Sequence, residues 1–130
     1  MAYRIFESDR VTTVSTSGCV TQNERLAMLK DLAAALNIKP QRTVLVDCST
    51  TQMRCSLEEA HQFGKEIGAA LSRFAELSVA LFMPQDEQAQ KSIDLSVMVA
   101  RGRGVNIATF TDPDQLLEYT ALRLAPPDCC

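Results

Sequence analysis

The chain has 130 residues, a net charge of −3 and a sequence pI near 5.1. With 46% apolar and 22% charged residues, it reads as one globular domain with room for one sizeable core. That balance excludes a general attraction to nucleic acid or to an anionic membrane surface, and Lys91 with Arg101 and Arg103 is too sparse a basic group to follow a phosphate backbone. The opening MAYRIFESDR lacks the apolar core of a signal peptide, and no apolar run approaches the ~20 residues that span a bilayer. A cytoplasmic chain with reduced thiols is therefore expected. Five cysteines cannot all pair within one chain. Cys19, Cys48, Cys55, Cys129 and Cys130 show no CxxC spacing, and there is one histidine, so no metal site is expected. Nor does the chain carry a P-loop, GxGxxG, GxSxG or HExxH motif, and no cofactor is expected.

Taken in chain order, Tyr3–Ser8 and Arg10–Ser17 are short alternating runs joined at Ser8-Asp9, the pattern of a β-hairpin. Gly18 breaks the alternation. Thr21 and Glu24 have capping-box spacing, and Leu26, Leu29, Ala33 and Leu36 follow at helical intervals, which predicts a helix from about Thr21 to Leu36, stopped by Asn37 and Pro40. Arg42–Cys48 holds the run Val44-Leu45-Val46, expected of a central strand covered on both faces. A polar loop through Ser49 then leads to a second capping box, Ser56 with Glu59, and a helix to about Phe74 whose apolar stripe includes Leu57, Ala60, Gly64, Ile67 and Leu71.

Leu77–Met83 is a further buried strand. Asp86–Arg101 carries Ala89, Ile93, Val97 and Ala100 on one side of a third helix, with Gly102 and Gly104 ending it. Val105–Phe110 is the next strand. Asp112 caps a last helix with Pro113 at its first position. Ala125–Cys130 is expected to be a frayed, oxidisable tail beyond a single domain over residues 1–124. The order β-β-α-β-α-β-α-β-α predicts an α/β layer: a mostly parallel central sheet, an antiparallel N-terminal hairpin, and helices packed on it.

Three places give this order a family likeness. They are Ser17-Gly18-Cys19-Val20-Thr21, the strand Val44–Asp47 with its passage into the second helix, and Arg103–Asp112, where a strand ends in Phe110 before a capped helix. Together they resemble the STAS-like domains of the stage II sporulation protein AA type, the anti-sigma-factor antagonists. The resemblance spans about Tyr3 to Leu122. It implies a regulatory, non-enzymatic protein-binding module, with a phosphorylatable serine at the start of the second helix. The family's Asp-Ser-Ser-Gly block is here Cys55-Ser56-Leu57-Glu58, so Ser56 is the one matching serine. Its plainer role is that of an N-cap, and Glu58 and Glu59 would repel a phosphate placed beside them. A phosphoserine switch at Ser56 is thus not expected to operate.

The expected partner surface comprises Asp47, Ser49, Thr50, Ser56, Glu58 and Glu59. The plainer role for Asp47 is a carboxylate that satisfies nearby amides. For His61, three residues after Glu58, the plainer role is a surface or half-buried side chain rather than a general base. Cys48 and Cys55, placed on either side of the polar loop, read first as ordinary thiols. A second functional reading is a carrier of a small apolar ligand or lipid, since distant relatives of the fold resemble Sec14-type carriers. Ile93, Leu95, Val97, Met98 and Val99 exceed what one buried helix face needs, which suggests a homodimer through the third helix.

Overall fold

The computed structural model describes residues 3–124. Five strands, β1 (Tyr3–Glu7), β2 (Val11–Val20), β3 (Thr43–Met53), β4 (Ser78–Phe82) and β5 (Asn106–Phe110), form one sheet in sequence order, β1 antiparallel to β2 and the others parallel. Four helices, α1 (Gln22–Ile38), α2 (Leu57–Leu71), α3 (Glu87–Gly102) and α4 (Pro113–Leu124), alternate with the strands. The expected element order and mixed sheet are both present. The stretch Ala125–Cys130, with Cys129 and Cys130, lies outside the described residues.

The sheet order follows from the connections. Parallel crossovers take the right-handed form almost without exception, which with sequential strands puts α1, α2 and α3 on one face. There α1 packs on β2 and α2, α2 on α3, and α3 on β3 and β5. On this face Val14, Val44, Val46, Val79 and Ile107 meet Leu29, Leu36, Phe63, Ile67, Ile93 and Val97 in one buried cluster. The opposite face is covered only in part, by α4, whose Tyr119 ring lies 5.1 Å from that of Phe110. On β1, Phe6 is 54% exposed.

Helices α2 and α3 meet unusually closely because α2 has glycine at the crossing. A Cβ on Gly64 would lie 2.6 Å from the Ser96 carbonyl oxygen and 2.7 Å from the Val99 Cβ. Only a residue without a side chain allows that approach. Val99 is therefore half-buried, Ile93 and Val97 are core, and Met98 is left 63% exposed. Of the apolar residues in excess of the buried face of α3, Leu95 and Val99 are half-buried and Met98 is exposed.

Two strands run longer than the sequence pattern suggests. β2 passes through Gly18, which adopts φ +68°, and ends at Val20; it does not stop at Ser17. β3 continues six residues past Asp47, through the segment expected to be a polar loop. Between these strands Ser15 pairs with Asp47 but Ser17 pairs with Thr50, so β3 carries one extra residue. Beyond this bulge Ser17–Val20 and Thr50–Met53 pair with each other and project past the end of β4, whose last partner on β3 is Asp47. The polar residues stay in the ladder because Thr51 and Met53 are buried while Thr50 and Gln52 face out. A buried hydroxyl pair between Thr16 and Thr51 joins the two strands.

Candidate functional site

The N-termini of α1, α2 and α3 converge where the β2–β3 ribbon ends. Each begins with a satisfied cap. The Thr21 hydroxyl accepts from the Glu24 amide at 3.2 Å, and Glu24 Oε1 accepts from the Thr21 amide at 3.1 Å. The Ser56 hydroxyl accepts from the Glu59 amide at 3.1 Å, and Glu59 Oε1 accepts from the Ser56 amide at 2.9 Å. Asp86 accepts from the Ala89 amide at 3.0 Å and pairs with Arg54 at 3.3 Å, which ties the β3–α2 connection to α3. Gln22 reaches across from α1, its side-chain amide donating to the Glu59 carbonyl at 3.0 Å.

Both capping boxes read from the sequence are formed. Ser56→Ala is accordingly expected to lower stability by ~1 kcal/mol, the usual worth of a serine cap; urea unfolding checks this, and an unchanged midpoint would mean that water replaces the cap.

The six expected site residues fall into two groups. Asp47 and Ser49 belong to the bulge. Asp47 Oδ1 accepts from the Ser49 amide at 3.0 Å and from the Ser49 hydroxyl at 2.6 Å. This carboxylate serves the backbone amide and the hydroxyl of Ser49, the plainer role expected of it. Thr50 follows, its hydroxyl 3.5 Å from the Thr16 carbonyl oxygen. Ser56, Glu58 and Glu59 stand at the first turn of α2, beyond a further stretch of strand; at ~3.3 Å per residue, Asp47 to Met53 alone spans roughly 20 Å. Asp47 and Ser49 are thus remote from the helix start, because β3 does not end where its polar residues begin.

Leu57 corrects the helix pattern. It was placed on the apolar stripe, yet it is 67% exposed. It stands in the first turn of α2, between exposed Ser56 and Glu58 in the chain. His61 is also exposed, and no carboxylate lies within ion-pair distance of it among the described residues.

The three described cysteines are free: Cys19 is exposed, Cys48 and Cys55 buried. Burial pushes the Cys48 thiol up to about 11, partly offset by its hydrogen bond with Thr16. An unfolded chain ionises this thiol at lower pH, so Cys48 contributes stability that is complete below about pH 9 and is lost as pH rises through about 11. Two outcomes are expected: Cys19 alkylates before Cys48 and Cys55 in peptide-resolved labelling, and Cys48→Ala flattens the loss of stability between pH 9 and 11. Equal labelling of Cys19 and Cys48 would contradict this burial.

One residue of this region has no counterpart in the expected site. Arg25, in the first turns of α1, is 0% exposed. Its Nε donates to Gln22 Oε1 at 2.8 Å and its Nη1 to the Ser92 hydroxyl at 3.0 Å, with the Met53 sulfur 3.6 Å away. The guanidinium carbon lies 4.6 Å from the centre of the Phe63 ring. Nη2 has no partner. Burial lowers the guanidinium below its ordinary value, and Cys55 and Glu59 act in the opposite sense. Its signal was positional: residues 25, 29, 32 and 36 share one helical face, and Arg25 occupies the first place on it.

No protein-family model matches the chain, and no curated protein is detectably similar to it in sequence. Solved structures are similar. An anti-sigma factor antagonist from Mycobacterium paratuberculosis superposes with a TM-score of 0.62 at 16% identity, over 90% of this chain and 91% of that one. An uncharacterised protein with a SpoIIAA-like fold from Shewanella loihica superposes with a TM-score of 0.52 at 19% identity, over 91% of each chain. The chain has a SpoIIAA-like fold. At these identities the likeness is one of fold. In this SpoIIAA-like chain the start of α2 keeps a serine cap, Ser56, under two acidic residues. Among the described residues no helix is long and apolar enough to cross a membrane, and no cluster of three or more His, Cys, Asp or Glu side chains is placed to hold a metal.

Proposed function

We propose that the chain is a non-enzymatic regulatory module that docks a protein partner on the end of the fold where the β2–β3 ribbon meets α2. The observation that carries this reading is the exposed Leu57. An exposed leucine at the first turn of a capped helix, with exposed Arg54, Ser56 and Glu58 close to it in the chain, has the make-up of a small interface: an apolar centre beside polar groups. The SpoIIAA-like fold, shared with an anti-sigma factor antagonist, supports a regulatory role. Glu59 stands in the same first turn. Asp47 and Ser49 drop out of it, since their polar groups serve the bulge. Ser56 acts as a cap rather than a switch, because Glu58 and Glu59 place negative charge where a phosphate would sit.

The carrier reading has less support in its lipid form. The apolar cavity in the core measures about 70 Å³, well below the ~300–1,000 Å³ of pockets that hold drug-sized ligands.

Site-specific photo-crosslinking in the source cells tests the docking surface. A cross-linking residue at Gln52, Leu57 or Glu58 is expected to capture one common protein, and one at Glu118 on α4 is not. Capture of that protein from Glu118 equally well, or from none of the positions, would remove this surface.

A further inference from the structure

Strand β1 lies at the edge of the sheet, and among the described residues no strand pairs with its outer side. The Ser8 amide donates to the Val11 carbonyl at 3.0 Å, so Ser8 and Val11 turn these backbone groups toward each other. In an antiparallel ladder that role alternates along the register, which turns the amides and carbonyls of Phe6 and Arg4 toward β2 as well. Those of Tyr3, Ile5 and Glu7 point outward. An edge strand with free backbone groups is a template for a further strand.

The side chains of β1 make this edge complementary to itself. Tyr3 and Ile5 face the helices, where the Tyr3 hydroxyl donates to Asp31 of α1 and Ile5 packs on the core. Arg4 and Phe6 project from the other face, and both are exposed. Consider a second β1 laid antiparallel about a two-fold axis at Ile5. Every outward group is then satisfied: Ile5 pairs with its own copy, and Tyr3 with Glu7 in both directions. The same register sets Arg4 opposite Phe6 twice, in non-hydrogen-bonded pairs ~4.5 Å apart at Cα, where a guanidinium can lie over a ring. An axis at Arg4 would bring two arginines face to face, and an axis at Phe6 would leave Tyr3 without a strand partner. Helix α1 matches the same axis. Asp31 stands at the Tyr3 end of β1, and Lys39 donates to the Ser8 carbonyl at 3.1 Å at the other. The two-fold brings the Asp31 end of each copy to the Lys39 end of the other.

We propose that the chain forms a two-fold homodimer by pairing β1 with β1 in this register, which joins two sheets into one. The contact uses β1 and the adjoining side of α1, not the α3 surface expected from the sequence. It shares no residue with the docking surface at the first turn of α2. A strand of five residues buries little area, so the association is weak and depends on concentration.

Sedimentation equilibrium of the full chain at concentrations up to about 1 mM tests this. A reversible monomer–dimer equilibrium is expected. Phe6→Lys sets like charges opposite each other at both Arg4 positions and is expected to weaken the dimer about tenfold or more. Arg4→Glu added to Phe6→Lys makes the facing charges opposite and is expected to return the affinity to within about threefold of wild type. Both positions are exposed, so the melting temperature of the dilute monomer is expected to stay the same in each variant. Monomer alone at every concentration overturns the proposal. So does a dimer indifferent to Phe6→Lys, or a loss that Arg4→Glu does not restore, since either result takes Arg4 and Phe6 out of the contact. A dimer broken by Met98→Glu and not by Phe6→Lys would place the interface on α3 instead. None of these outcomes bears on cross-linking at Leu57.

Discussion

Gly64→Val is expected to destabilise the fold by about 3 kcal/mol or more. The first side-chain carbon would meet the Ser96 carbonyl oxygen at 2.6 Å and the Val99 Cβ at 2.7 Å. Neither is the loose end of a flexible chain: one is the backbone of α3 and the other is rooted on it. Relief requires the two helices to part along the contact that holds Ser96 to the Ala60 carbonyl. Overpacking of this kind costs ~1–3 kcal/mol for small additions, and valine adds two methyl groups beyond the clashing carbon. Gly64→Ala is the informative control. Its gain in helix propensity is ~0.5–1 kcal/mol, so a net loss shows the clash outweighing propensity. Gly102 lies in α3 with nothing within 4 Å of an added Cβ. There alanine is expected to stabilise by ~0.4–1 kcal/mol. Urea unfolding of the three variants checks the ordering Gly102→Ala above wild type above Gly64→Ala above Gly64→Val. A Gly64→Val protein as stable as wild type would mean that α2 and α3 are further apart than described.

Arg25→Met is expected to leave the fold as stable as wild type or to raise it by about 1 kcal/mol, whereas Arg25→Ala should cost ~2–4 kcal/mol. The two substitutions separate charge from volume. Both remove a cation that is 0% exposed and has one nitrogen without a partner. Methionine keeps most of the length of the side chain, and its sulfur can lie against the Phe63 ring that now sits under the guanidinium. Alanine leaves a hole beside the existing cavity. The loss of hydrogen bonds to Gln22 and Ser92 opposes the gain, at ~1.5–3 kcal/mol for each bond to a charged group before desolvation is counted. Gln22 is half-buried and can turn to water, which limits its share. Comparison of unfolding midpoints decides it. A loss above ~2 kcal/mol in Arg25→Met would make this arginine a structural tie between α1 and α3. A gain would mean that a residue costly to stability is kept for another purpose.

Much of the fold is legible in the residues because it depends on local chemistry. The capping boxes at Thr21 and Ser56 need only near neighbours, and each forms as the spacing indicates. The apolar runs Val44-Leu45-Val46 and Val79-Ala80-Leu81 lie in the sheet interior, and the alternation of strands with helices determines the parallel order once crossovers take one hand. What could not be read locally depended on pairing partners. Ser49 to Gln52 look like a loop in isolation, because serine, threonine and glutamine are common there. They are a strand because β2 runs alongside and Thr51 and Met53 fall beneath the helices.

The site divides along the same line. The sequence by itself determined the two capping boxes, the acidic first turn of α2 and the serine at its head, each set by residues within four of one another in the chain. Only the tertiary structure decided which of the six expected residues share a surface. The bulge opposite Ser15 and Ser17 claims Asp47 and Ser49, and the direction of the first turn of α2 leaves Leu57 in solvent. It also decided the state of Arg25. A charged residue at the head of an amphipathic helix is solvated in most folds. Here α2 and α3 close over it through Phe63 and Ser92, because Gly64 lets them approach. Burial of that charge is a property of three helices together, set by residues far from it in the chain.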